Sequence, residues 1–512
     1  MKKNNYEKII IQFIILAGIV NSVIQYLYNR SLWLDESMLA LNIINKSNLE
    51  LLYPLDFWQV SPVLFLQLEK ITSLLIPESE YGLRLIPLIG FFISVYLMYK
   101  ISDLLFDNKY GVILAMSLFV FSHSIIYYSS EVKQYMTDVL SVLCIYYFIL
   151  KYYNFNDTDK KKYFILAITG VIMVFLSNVA PIILFGCGLY MLYEYFKNKK
   201  DIGDANEKKI EFKYTVYIFL AWLAAFSIYF YFFIYEHPSR ERMIMYWANV
   251  NAFLPQNPFK SDFYIFLYYK SMNIFYSISP LGVPGAIGLF FLFVTGVVNL
   301  FQSKKLNLVI LTLTPVTVHL LLSSFRVYPF DLRLTLYAIP SMILICSYGF
   351  IYLAVVLFGY LKTDLNKPVA KTLAVIIPIT FLVSFYTTSK KGFPIKNEEI
   401  KQSLGHIYEN YSPTDKIYLY WGASKAFQYY KDINFVNEKI PVVYGNTFRE
   451  KNEKEKYIDE IRTLKGRNWL LFSFIRDNDD DFIIRKLDSL GYKKLSGFET
   501  VGSGSYLYDF GE

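Results

Sequence analysis

Two adjacent carboxylates, Asp35 and Glu36, stand in the run Ser31-Leu32-Trp33-Leu34-Asp35-Glu36-Ser37, just past the first membrane-length apolar stretch at residues 9–27. An acid drawn toward hydrocarbon costs about 2.5–3.5 kcal/mol on insertion scales, so a pair placed there needs a task. At the edge of an apolar cleft a carboxylate is a stronger base and a better cation ligand than in water. Taken alone, the pair reads more readily as two solvated loop acids. Its neighbours along the chain argue otherwise.

Three further blocks carry charge. Tyr128-Ser129-Ser130-Glu131-Val132-Lys133-Gln134-Tyr135 places an acid and a base at the junction of two apolar runs. It also reads as an interfacial turn whose charges snorkel into water. Arg326-Val327-Tyr328-Pro329-Phe330-Asp331-Leu332-Arg333 brackets a Pro-Phe turn with two guanidinium groups, which suit bidentate grip on a phosphate. Contact with ordinary lipid headgroups explains these arginines nearly as well, and the same holds for Arg84. Asp477-Asn478-Asp479-Asp480-Asp481 resembles a cation loop but lacks its glycine turn and closing Glu, so Asp480 reads as a helix cap. Acids and guanidinium groups gathered on one face of a membrane are what chemistry on a lipid-linked phosphate requires.

The elements that must position these groups are membrane helices. Of the 512 residues 54% are hydrophobic and only 18% charged, against about 25% charged in soluble domains. Apolar runs near 9–27, 83–99, 111–128, 135–150, 163–178, 180–196, 214–234, 281–301, 307–324, 334–360 and 371–387 give roughly eleven spans. Lys2, Lys3, Lys8, Lys151, Lys160 to Lys162, the run Lys197 to Lys213, Lys304, Lys305, Lys362, Lys367 and Lys371 then share one side, which the positive-inside rule makes cytoplasmic. The N-terminus is expected in the cytoplasm of a multi-pass cell-membrane protein. Asp35, Glu36, the segments 28–82, 128–135, 235–280 and 325–333, and the C-terminal region fall outside. The net charge of +8 is mostly this lysine, so it speaks for topology and not for nucleic-acid binding. No small-residue cleavage site follows Lys8, so the first span is expected to be retained. Cys144, Cys187 and Cys346 all fall in expected spans, leaving none for an external disulfide.

Two outer loops, 28–82 and 235–280, are rich in interfacial aromatics such as Trp33, Trp58 and Trp247. From about Lys390 the composition turns soluble. Strands are expected at Ile417 to Tyr420, Trp469 to Phe474 and Ser505 to Tyr508, and helices at Ala423 to Tyr430, Asn452 to Leu464 and Asp480 to Leu490. The expected fold is therefore a polytopic α-helical membrane domain, residues 1–389, followed by a small extracytoplasmic α/β domain, residues 390–512.

The ordered set of motifs resembles the membrane glycosyltransferases of the GT-C type, specifically the protein-mannosyltransferase and aminoarabinose-transferase relatives (glycosyltransferase family 39-like). Leu32 to Glu36 resembles their first-loop acidic motif. Ser61-Pro62-Val63-Leu64 with Lys70 takes the place of their His-Pro-Pro segment and following lysine, and Arg84-Leu85-Ile86-Pro87 the arginine opening the next span. Tyr128 to Tyr135 resembles their Tyr-Ser-Gln-Glu-Ala-Arg-x-Tyr block, and Tyr328-Pro329-Phe330 with Arg333 and Pro340 a late-span motif. The likeness runs through roughly residues 1–350. Ser61 replaces a frequent His, and Lys133 an Arg, which keeps the charge but loses the fork.

The resemblance implies a polyprenyl-phosphate-linked sugar as donor and an acceptor hydroxyl on a glycan, lipid or protein, met at the outer face among membrane lipids. A lipid phosphate is already a good leaving group, so one base and cations for the phosphate would suffice. Asp35 is the expected general base, with Glu36 beside it. Glu131 and Glu36 would position the acceptor or, with Asp35, share a divalent cation (Mg or Mn), since carboxylate oxygens suit hard metals. Arg84, Lys133 and Arg333 would neutralise the donor phosphate. A glycan ligase or polymerase using a lipid diphosphate, and a non-catalytic lipid-linked-sugar transporter, remain the alternatives.

Overall fold

The computed structural model of the chain describes residues 6–153, 160–198, 205–360, 368–388, 392–436, 440–447 and 454–511. Lys2, Lys3, Lys199, Lys200, Lys362 and Lys367, used for the orientation, and Asn452 and Glu453 of an expected helix lie outside those residues.

In chain order the helices are α1 (Tyr6–Tyr28), α2 (Leu34–Asn45), α3 (Val63–Leu75), α4 (Glu80–Leu105), α5 (Lys109–Val120), α6 (His123–Tyr128), α7 (Tyr135–Tyr152), α8 (Lys160–Leu176), α9 (Ala180–Asn198) and α10 (Ala205–Phe233). They continue with α11 (Arg240–Asn249), α12 (Ser261–Ile278), α13 (Gly282–Gln302), α14 (Leu306–Ser324), α15 (Ile339–Tyr360) and α16 (Pro368–Thr388). A short 3-10 helix, Leu332–Ala338, leads into α15. The C-terminal region adds α17 (Ile400–Asn410), β1 (Lys416–Leu419), α18 (Ser424–Asp432), β2 (Val442–Tyr444), α19 (Lys454–Ile461), β3 (Arg467–Ser473), α20 (Asp479–Ser489), β4 (Lys493–Thr500) and β5 (Ser503–Asp509).

Among the described residues eight helices are long and apolar enough to cross a membrane: α1, α4, α7, α10 from Phe212, α13, α14, Leu332–Leu357 and Val369–Thr388. The protein is a polytopic helical membrane protein with a small C-terminal sheet. The other three expected runs are helical but do not join that set. Residues 111–128 divide into α5 and α6, because Ser122 accepts from the Ile125 amide (3.3 Å) as an N-cap and donates to the Ser277 carbonyl (2.7 Å). The run at 163–178 forms α8, 17 residues long, and 180–196 forms α9.

The chain forms two compact units. The first comprises Met1–Tyr26, Asn48–Glu69 and Arg84–Ser389. Its tightest helix pair, α13 against α15, depends on small residues: a Cβ on Gly349 would lie 1.9 Å from the Leu292 carbonyl oxygen, and one on Gly296 2.0 Å from that of Ile345. Such close backbone approach is the usual basis of helix association where apolar burial gives no advantage over lipid.

The second unit joins Leu27–Ser47 and Lys70–Leu83 to Lys390–Glu512. The second unit thus takes in the acidic loop and Lys70–Leu83 together with the C-terminal residues. Its sheet runs β2-β1-β3-β5-β4, with β2, β1 and β3 parallel and β5 antiparallel to both β3 and β4. Six of the seven residues of β3 and of β5 are buried, as central strands are, and α19 and α20 cover one face through Tyr457, Ile458, Ile483 and Leu487. The three expected strands and three expected helices are present; β2, β4 and α17 are additional.

Candidate functional site

Asp35 and Glu36 open the first turn of α2, where the helix dipole favours negative charge. The two carboxylates have different surroundings. Glu36 is wholly buried and forks onto Arg30, with Nη1 to Oε2 at 2.6 Å and Nη2 to Oε1 at 3.3 Å, and Arg30 is itself 1% exposed. Asp35 is half-buried. Glu36 thus ties the loop to the start of its own helix, whereas Asp35 is only half-buried. The Ser37 hydroxyl donates to the carbonyls of Leu32 (3.3 Å) and Trp33 (3.0 Å), fixing the turn from within. Lys70, matched to the lysine of the sequence resemblance, caps the other end of α2 by donating to Ile43 O (2.8 Å) and Ile44 O (3.1 Å).

The remaining expected residues belong to the first unit, where four stretches of chain are tied together. Lys133 Nζ donates to Gln59 Oε1 at 2.6 Å and Ser61 Oγ to Gln134 Oε1 at 3.3 Å, so the 128–135 block is fastened to the chain between α2 and α3. The Arg242 guanidinium lies 3.6 Å from the centre of the Trp58 ring, which brings in the loop segment 235–280 with α11. That loop in turn holds the 326–333 block. Arg333 lies over Trp247 at 4.8 Å, Lys270 pairs with Asp331 at 2.6 Å, and the Phe330 amide donates to Ala252 O at 2.7 Å.

Glu131, Lys133 and Arg84 are buried, and Arg333 half-buried. Burial first, then the charge of Glu131, pushes the Tyr128 phenol well above its ordinary range, while Arg333 pulls it down. Tyr128, Glu131, Arg333 and Asp331 therefore share one electrostatic neighbourhood. Arg333 and Arg242 lie on indole faces, and a guanidinium is less strongly hydrated than an ammonium, which suits such a group to an anion. Arg326, by contrast, is exposed with a left-handed backbone (φ 56°).

Sequence reasoning missed Arg30, Gln59, Arg242 and Lys270. Arg30 and Arg242 were visible as charges, but nothing local told which partner each would meet. Contrary to expectation, the acidic run at 477–481 does not cap its helix through Asp480: Asn478 is the N-cap position of α20, Asp480 lies inside the first turn, and Asp479 makes the contacts. Asp479 accepts from Tyr420 (2.7 Å) and pairs with Lys454 (2.8 Å).

Among the described residues no group of three or more His, Cys, Asp or Glu side chains is placed to hold a metal ion. The Asp35–Glu36 pair supplies no chelate either, since Arg30 occupies the oxygens of Glu36.

No protein-family model and no curated protein matches the chain. Among solved structures it is similar to ArnT from Cupriavidus metallidurans, both apo and bound to undecaprenyl phosphate. Identity is 11%, coverage 97% of this chain and 98% of ArnT, and the TM-score 0.49. It is also similar to the archaeal oligosaccharyltransferase AglB from Archaeoglobus fulgidus, in complex with an inhibitory peptide and a dolichol-phosphate. There identity is 13%, coverage 97% of this chain and 74% of AglB, and the TM-score 0.45. Likeness at that level carries no weight in assigning a function, which is argued below from the residues.

Proposed function

We propose that the protein is an integral-membrane glycosyltransferase that moves a sugar from a polyprenyl-phosphate donor to an acceptor hydroxyl at the outer face of the membrane. The observation that carries this reading is the division of labour in the acidic pair. Glu36 is held by Arg30, whereas Asp35 is half-buried in the first turn of α2, where the helix dipole favours a carboxylate, and that is the position we assign to the base.

In the proposed reaction Asp35 takes the proton of the acceptor hydroxyl as its oxygen attacks the anomeric carbon. The bond from that carbon to the phosphate oxygen breaks, and the electron pair leaves with the lipid phosphate. Charge gathers on that phosphate, where Lys133 and Arg333 neutralise it, with Arg84 as a further cation and Arg242 added by the Trp58 contact. Glu131 holds the site's polar geometry beside Tyr128. Glu36 acts through Arg30 on the loop, a positioning role. No step passes through a cation. The N-terminus is cytoplasmic and the C-terminal domain external in this reading, with residues 390–512 and the acidic loop on the same side.

The test is release of lipid phosphate from a panel of radiolabelled undecaprenyl-phosphate hexoses and pentoses by protein in nanodiscs, with membrane extract as acceptor. Release that Asp35→Asn abolishes supports the assignment; release that persists in the variant removes it.

A further inference from the structure

Asp35 is approached by its own chain through residues 29–34, and that stretch is fastened almost residue by residue to the C-terminal domain. Lys401 Nζ donates to the Asn29 carbonyl at 2.6 Å, and the Lys401 amide donates to Ser31 Oγ at 3.0 Å. The Leu32 amide donates to the Tyr430 hydroxyl at 2.8 Å. Longer contacts run from the Ser31 amide to Glu399 (3.5 Å) and from the Leu34 amide to Glu398 (3.4 Å). The Trp33 ring meets Phe474 at 6.3 Å between centroids.

Glu80 ties these anchors to each other. It accepts from the Tyr430 hydroxyl at 3.0 Å and from Asn29 Nδ2 at 3.2 Å, and it pairs with Lys401 at 2.8 Å. Its side chain is 6% exposed, so these are contacts made out of water. A hydrogen-bond chain therefore runs from the Leu32 amide through Tyr430 to Glu80 and on to Lys401 and Asn29. Within such a buried network each bond depends on the others.

We infer that Lys401 and Tyr430, with Glu80, are positioning residues for Asp35, so that the C-terminal domain is part of the catalytic apparatus as the clamp of the loop that presents its base. The inference rests on the reading of Asp35 as that base. Ordinary domain packing would bury apolar side chains and leave the main chain to solvent. Here the domain's polar groups meet main-chain atoms and the Ser31 hydroxyl in the six residues ahead of Asp35. A displacement of about 1 Å at a reacting group can cost about 100-fold in rate, so a clamp at this point bears directly on turnover.

The experiment uses the full chain in nanodiscs and the variants Lys401→Met, Tyr430→Phe and Asp35→Asn. Hydrogen exchange is read peptide by peptide, and lipid-phosphate release is measured on the panel of undecaprenyl-phosphate hexoses and pentoses. In Lys401→Met and Tyr430→Phe the amides of 31–35 should exchange about 10-fold faster or more, with β3 and β5 unchanged as the check that the domain is folded. Their kcat should fall between about 10- and 100-fold, with donor KM within about twofold of wild type. Wild-type exchange at 31–35, or faster exchange with wild-type kcat, would overturn the positioning role. Wild-type turnover by Asp35→Asn would instead overturn the assignment of the base. An inactive Asp35→Asn beside a fully active Lys401→Met would overturn the clamp alone.

Discussion

Arg30 and Glu36 form a two-point ion pair in which neither side chain reaches water: the carboxylate is 0% and the guanidinium 1% exposed. Breaking such a pair from one side leaves a lone buried charge, which costs about 3–5 kcal/mol, whereas replacing both members by apolar groups is often neutral. Arg30→Met and Glu36→Leu should each lower the thermal stability of the purified protein markedly, and the double variant should recover most of the loss. Tryptophan fluorescence melts in nanodiscs read this directly. Additive losses in the double variant would contradict the pairing.

The bond between Lys133 and Gln59 holds the 128–135 block to the chain between α2 and α3. Lys133→Met should raise the donor KM, because it removes a cation from the phosphate site and frees Gln59 together. Gln59→Leu, which removes only the tether, should have the smaller effect. Steady-state kinetics on the two variants would separate charge from tethering. A larger effect in Gln59→Leu would assign Lys133 to structure alone.

Arg333 lies over the Trp247 ring, and a planar guanidinium on an indole face is not replaced by an ammonium group. Arg333→Lys should therefore lose most of the donor affinity that Arg333→Ala loses. Equal affinity in Arg333→Lys and wild type would show that only charge matters at that position.

Gly349 permits the close approach of α13 and α15, since its Cβ would fall 1.9 Å from a main-chain oxygen. Gly349→Val should separate these helices and destabilise the membrane unit by several kcal/mol, by the overpacking that rigid backbone contacts cannot relieve. Expression level and melting temperature check it, and a wild-type melt would contradict the packing.

His406 lies in the C-terminal domain between Ser505 (2.9 Å) and Ser496 (3.1 Å) and stacks on Phe498. Burial lowers its pKa, with the nearby Glu409 opposing. The folded domain thus binds a proton less readily than the unfolded chain, whose imidazole titrates near the ordinary value of about 6.5. The contribution is fully present above that value and fades as pH falls through it. His406→Gln should flatten the fall in stability between about pH 7 and 5, read by denaturant unfolding at each pH. An unchanged slope would remove His406 as its source.

How much of this was legible in the sequence depended on the range of the interaction. The place of Asp35 just beyond α1 was legible because the apolar run before it is a local signal. The parallel strands β1 and β3 were legible for the same reason, as short apolar runs between turn signals. β4 was not: Lys493, Lys494 and Gly497 break the alternation, as is common at a sheet edge, where one side needs no partner. α17 could have been read, since Ile400, Ser403, Leu404 and Ile407 fall on one helical face. The joining of residues 27–47 to a domain that starts at 390 could not. That union is made by single hydrogen bonds such as Leu32 to Tyr430, across 398 positions of sequence, and no local pattern encodes it.

In the proposed reaction Asp35, and not its neighbour Glu36, is the base of the transfer from lipid phosphate. The most direct measurement is single-turnover release of lipid phosphate from radiolabelled undecaprenyl-phosphate sugars, in nanodiscs with membrane extract, with and without EDTA. Wild type, Asp35→Asn and Glu36→Gln are compared at matched folded protein. The account predicts no release in Asp35→Asn, residual release in Glu36→Gln, and release that EDTA leaves intact. Normal release by Asp35→Asn would contradict it, and loss on adding EDTA would restore a metal to the mechanism.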